Sequence, residues 1–93
     1  MKTFTIQIGN TDNKLTQTLW SNFCKRIHSE LMRDYIQIHF AGGSSYCDPW
    51  QNACFVFNCS DEKVEHLKGV ISTVGKAYNQ ESIAFTEGET EFI

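Results

Sequence analysis

The sequence predicts an α+β sandwich in which a four-stranded antiparallel sheet carries two helices on one face. Three observations lead there. Apolar and polar residues alternate in four short stretches, apolar residues recur every three or four positions in two longer ones, and the stretches follow one another as βαββαβ. At 93 residues the chain forms one domain, because half of it would fall near the size at which folding alone needs disulfides or a metal. With 41% hydrophobic residues, 20% charged residues and one proline, the composition is that of a folded globule without a disordered, collagen-like or mucin-like segment.

The first strand is Thr3 to Ile8, with Phe4, Ile6 and Ile8 on one side and Thr3, Thr5 and Gln7 on the other. Gly9-Asn10-Thr11-Asp12-Asn13 is dense in turn formers. Thr16 is the expected N-cap of a helix, with Leu15 and Trp20 in staple spacing around it. Leu19, Phe23, Ile27 and Leu31, joined by Trp20 and Cys24, draw one apolar stripe along that helix to about Arg33. Tyr35 to Ala41 alternates again with Ile36, Ile38 and Phe40 inward, and Asn52 to Cys59 does so with Ala53, Phe55, Phe57 and Cys59 inward. Ser60 is expected to cap a second helix, with Asp61 and Glu62 where the positive end of the helix dipole favours them. Its buried face is Val64, Leu67, Val70, Ile71, Val74 and Tyr78, and Asn79 is its expected C-cap. Ser82 to Thr86 makes the fourth strand, with Ile83 and Phe85 inward. Beyond it the parity changes, since Phe92 is out of step with Phe85, so Gly88 reads as a bulge or tight turn into a possible short C-terminal extra strand.

This order is that of the ferredoxin-like split-βαβ sandwich. Both helices are expected over Ile6, Ile38, Phe55 and Ile83, which leaves Thr5, Gln7, Tyr35, Gln37, His39, Cys54, Val56, Ala84 and Thr86 on an open face. That face is small and mildly apolar, and a homo-oligomer formed through it or through an edge strand is expected.

Charge and cysteine usage narrow the function. Eight Lys and Arg stand against eleven Asp and Glu, for a net charge of -3 and a pI near 5.5, so a nucleic-acid polymer is not an expected partner. No apolar run approaches the roughly 18 residues of a membrane span and no signal segment opens the chain, so a soluble, cytoplasmic protein with no membrane partner is expected. Cys24, Cys47, Cys54 and Cys59 are then expected as free thiols. Their spacing contains no CxxC, and His39 and His66 complete no zinc pattern, so neither a metal nor a cofactor is expected.

The stretch Gly42-Gly43-Ser44-Ser45-Tyr46-Cys47-Asp48-Pro49-Trp50-Gln51 exceeds the two to five residues of an ordinary hairpin loop. Its excess length points to a ligand. Gly42, Gly43, Ser44 and Ser45 can turn backbone N–H groups toward an anion, Tyr46 and Trp50 offer flat faces for stacking, and Gln51 with Asn52 offer paired donors and acceptors for a base edge. These eight residues are the candidate binding set. The competing structural account has Trp50 covering the sheet end, Asp48-Pro49 making a turn and the glycines bending the chain. No Gly-Lys-Ser or Gly-Lys-Thr is present, so the loop is not a P-loop.

Two other groupings carry chemistry. With Phe40 and Phe55 both inward, strand pairing sets His39 opposite or diagonal to Cys54, which makes them the candidates for a thiolate nucleophile and its base. No Lys, Arg or helix N-terminus depresses the Cys54 thiol and no third residue orients His39, so a small buried thiol beside a hydrogen-bonded histidine is the plainer expectation. Glu81, Glu87, Glu89 and Glu91 form an acidic C-terminal segment, read as a solvated edge that discourages aggregation or as a surface for a basic partner.

The element order is shared with RNA recognition motifs, but Ala53 stands where those carry an aromatic residue and Gln51 is not basic. It is shared with acylphosphatases too, whose phosphate-binding arginine has no counterpart in Gly9-Asn10-Thr11-Asp12-Asn13. The stretches Gly42-Gly43-Ser44-Ser45, Pro49-Trp50-Gln51-Asn52-Ala53-Cys54-Phe55-Val56-Phe57 and Thr86-Glu87-Gly88-Glu89-Thr90-Glu91-Phe92 resemble those of small uncharacterised proteins of bacteria and their phages. That resemblance spans nearly the whole chain and brings no established activity. A phage origin implies a domain that sequesters a host signal or blocks a host protein. The expected function is therefore a non-catalytic module binding a small, polar, nucleotide-like ligand. The alternatives are a protein-interaction or inhibitor module acting through the acidic segment and the long loop, and a small Cys/His enzyme.

Overall fold

The computed structural model of the chain describes residues 2–33, 36–44 and 51–93. Strand β1 (Lys2–Gly9) leads through a 3-10 turn at Thr11–Asn13 to helix α1 (Gln17–Met32). Strands β2 (Gln37–Gly43) and β3 (Asn52–Asn58) follow, then helix α2 (Asp61–Ala77) and strand β4 (Ala84–Glu89). The sheet order is β2-β3-β1-β4 with every neighbouring pair antiparallel, which is the split-βαβ arrangement the sequence predicts.

Local features mark the starts of both helices and the end of α2. The Leu19 N–H donates to Thr16 Oγ1 at 3.2 Å, so Thr16 caps α1 as expected. Ser60 stands at the N-cap of α2 with extended backbone, yet its hydroxyl makes no capping bond, and Asp61 and Glu62 supply the negative charge of the first turn. The C-terminus of α2 closes with the Asn79 N–H on Lys76 O and the Gln80 N–H on Gly75 O. Asn79 is left-handed at φ 59°, one position beyond the last cap residue, which makes this a Schellman closure.

The core lies between the helices and the inner face of the sheet. Phe4, Phe57 and Phe85 cluster with ring centroids 5.7 to 6.2 Å apart, and Phe23, Ile27 and Leu31 from α1 and Leu67, Ile71 and Val74 from α2 close over them. Asn10 is buried and fully engaged: it exchanges two 2.9 Å hydrogen bonds with the Leu15 backbone, which ties the end of β1 to the start of α1. Among the described residues no helix is long and apolar enough to cross a membrane.

The structure corrects the expected strands at two places. β2 and β3 pair as Ile38 with Phe57 but Phe40 with Val56, so a bulge at His39 shifts the register by one residue. Phe40 consequently leaves the inner face and stands on the open one, 55% exposed, with the end of its ring over Gly42. The second correction concerns the C-terminus. β4 begins at Ala84, pairs without interruption from Gln7–Ala84 to Lys2–Glu89, and passes through Gly88 with neither bulge nor turn. β1 already begins at Lys2 and offers partners that far, so no extra strand is needed, and 90–93 adds none.

Candidate functional site

A groove of about 570 Å³ runs between α1 and the β2–β3 hairpin, on the helix side of the sheet. Its size lies within the range of small-molecule sites. One wall is α1, where Trp20, Cys24 and His28 follow at four-residue spacing and therefore stack along a single ridge. The floor is Ala53 and Phe55 of β3, and the far wall is Ala41 and Gly43 at the end of β2. The His28 ring lies over Phe55, with centroids 6.2 Å apart and planes 26° from parallel. Trp20 is held edge-on to the buried Phe23 at 6.1 Å, so its indole is anchored by the core on one side and open to the groove on the other.

Of the residues the sequence assigns to a ligand, Gly42, Gly43, Ser44, Gln51 and Asn52 all line this groove. Ser45, Tyr46 and Trp50, as well as Cys47, lie outside the described residues, as does Tyr35 of the expected open face. The roles differ from those expected. Gly42 and Gly43 are strand residues paired with Cys54 and Ala53, and no glycine has a positive φ, so they do not form an anion-binding turn. Gly43 is required by space: a Cβ there would come within 2.5 Å of Asn52 O. Ser44 closes the hairpin, its N–H donating to Asn52 O at 2.9 Å and its hydroxyl accepting from the Asn52 N–H at 3.1 Å.

The Gln51 amide is already engaged. It forms a reciprocal pair with the Gln17 amide, at 2.8 and 3.1 Å, and its oxygen also accepts from Asn10 at 3.0 Å. These bonds lock the start of β3 to α1 and fix the width of the groove at one end. A terminal amide carries two N–H donors, and among the described residues one of them on Gln51 is taken, by Gln17. Lys25 is the one cation among the described lining residues, and no carboxylate joins it.

His39 and Cys54 do not meet as a pair. The bulge sets Gly42 opposite Cys54 and leaves His39 hydrogen-bonded through Nε2 to the Asn58 side chain, which in turn donates to the Lys2 carbonyl. The thiol that does face a cleft is Cys24, and burial pushes its pKa above the ordinary 9.0, which keeps it protonated and weakly nucleophilic at neutral pH. The described residues hold no group of three His, Cys, Asp or Glu placed to bind a metal. The acidic segment is also partly committed: Glu87 lies 3.0 Å from the Lys2 ammonium, which reaches Asp61 at 3.5 Å, and Glu91 lies beyond the end of β4. Glu81 sits away from these, on the rim of a second cavity beside α2.

Sequence reasoning missed the α1 wall. Trp20 and Cys24 were absorbed into the core stripe, and His28 was passed over although it continues their four-residue spacing. No family model and no curated protein matches the chain. Among solved structures it is similar to the de novo designed protein Foldit4, with a TM-score of 0.57 over 97% of this chain and 96% of that one and 11% of residues identical. At that identity the likeness concerns the fold alone, and function has to be argued from the groove.

Proposed function

We propose that the chain is a non-catalytic binding module that holds a small, planar, polar ligand of the nucleotide class between α1 and the β2–β3 hairpin. The observation that carries this reading is the lining of the groove. Trp20 and His28 offer flat faces above an apolar floor, amides and hydroxyls stand at the rim, and among the described lining residues Lys25 is the single cation with no carboxylate opposing it. One cation favours a ligand of low negative charge, a nucleoside or its monophosphate, over a triphosphate. The absence of turnover is supported by the protonated state of the Cys24 thiol and by the separation of His39 from Cys54. Tight holding without chemistry also suits the sequestering role implied by the resemblance to bacterial and phage proteins.

The test is titration with adenosine and adenosine monophosphate, read by tryptophan fluorescence and by native mass spectrometry of gently purified protein. Saturable binding is expected. His28→Ala should weaken it at least tenfold with an unchanged far-UV spectrum, and Lys25→Ala should remove the preference for the monophosphate. A protein that carries no added mass and binds neither probe at millimolar concentration, or binding that survives both substitutions, overturns the reading. The alternative of an interaction module acting through the acidic segment has less support, because Glu87 is already paired with Lys2.

A further inference from the structure

We propose that the open face of the sheet is the contact surface of a two-fold dimer of this chain. The outward register positions, from Gln37 and Phe40 on β2 through Cys54 and Val56 on β3 and Thr5 on β1 to Thr86 on β4, include no Asp, Glu, Lys or Arg. In a chain with 20% charged residues and a net charge of -3, this face lets two copies meet without setting like charges against each other. Complementarity of charge with itself is what an isologous contact requires.

The bulge at His39 adds an anchor. It carries Phe40 out of the inner face, and 55% of that residue stays exposed beside Val56, an arrangement that leaves an aromatic side chain in water unless a partner covers it. Edge-to-edge pairing is discouraged on both flanks, by the bulge on β2 and by Glu87 and Glu89 on the β4 edge. Four strands about 4.8 Å apart and some six residues long present a footprint of roughly 20 by 20 Å. Two such faces bury on the order of 800 Å² in total, the size of a weak, reversible contact rather than a permanent one, so the dimer is expected to populate toward the upper end of a micromolar range.

The experiment is sedimentation velocity of the full chain with reductant, across a concentration series from low to high micromolar. The wild type should move from the mass of one chain toward twice it. Val56→Lys and Thr5→Lys, which place a charge at the centre of the face, should weaken association at least tenfold. Far-UV circular dichroism and cooperative melting establish that each variant is folded. Thr86→Lys, at an exposed position on the same face, serves if a central lysine unfolds the domain. A wild type that stays monomeric throughout the series overturns the proposal, as does any assembly that forms equally well in the folded lysine variants.

Discussion

The split-βαβ order creates two counterpart crevices, one between α1 and the edge strand β2, the other between α2 and the edge strand β4. They share an architecture and differ in what the edge strand puts into them. Ile83, just before β4, and Phe85 within it point toward α2, where the tip of Ile83 seats so closely on Gly75 that a Cβ there would come within 2.8 Å. The Lys68 ammonium stands 5.1 Å above the Phe85 ring, and the remaining cavity is about 340 Å³. β2 packs Ile38 against the core further along, but at the groove its inward positions are Ala41 and Gly43, and about 570 Å³ stays open. The larger groove is therefore a property of side-chain size on one strand and not of the fold. The bulge at His39 completes the contrast, because it turns Phe40, the one large side chain at that end of β2, to the opposite face of the sheet.

The largest effect that tests this contrast is on stability. Phe55 is 4% exposed and floors the α1 groove, so Phe55→Ala should cost about 3–5 kcal/mol in urea unfolding. Ile83 is only partly buried, and Ile83→Ala should cost about 2 kcal/mol while opening the α2 crevice over Gly75. Equal losses would mean that the two crevices are packed alike and that the comparison fails. A filling substitution tests the same contrast from the other side. Ala41→Phe gives β2 the ring that Phe85 gives β4, on a strand position that favours aromatic residues. It should stabilise the domain by about 1 kcal/mol and lower affinity for adenosine monophosphate at least tenfold. Unchanged affinity would place the ligand elsewhere.

The difference between the crevices was only half legible in the sequence. Alternation marked every strand and the four-residue stripe marked both helices, because burying one face leaves a period that survives whatever the partner is. The bulge leaves no such trace. Ile36, Ile38 and Phe40 alternate perfectly as letters, and whether Phe40 faces in or out is decided by its pairing with Val56 across the hairpin. The same limit hid the site. Gly42 through Ser44 and Gln51 with Asn52 are singled out by loop length, but the helix wall that faces them comes from a separate element, with His28 14 residues before Gly42 and Trp20 further still. The sequence offers Gln51 with Asn52 as donors and acceptors for a ligand, but the amide's protein partners, Gln17 and Asn10, are 34 and 41 residues distant in sequence.

The smallest expected effect concerns the thiol on the α1 wall, which has no counterpart in the α2 crevice. Burial raises the Cys24 pKa above 9.0, so the unfolded chain gives up this proton at a lower pH than the folded one. Below the unfolded value the preference for the protonated fold is fully present. As pH climbs past 9 the unfolded state gains from ionising while the folded state does not, and that increment is lost through the folded pKa. Cys59 shifts in the same direction, by burial first and then by the charge of Asp61, so removing Cys24 should flatten the alkaline fall in Tm without abolishing it. Melting curves of wild type and Cys24→Ala between pH 7 and 10.5 should diverge in slope only above about pH 9. The comparison is of slopes because the lost sulfur also lowers stability at every pH. Parallel curves would mean that the thiol is solvated, and the α1 wall would then be wetter than a groove built to stack an aromatic ligand.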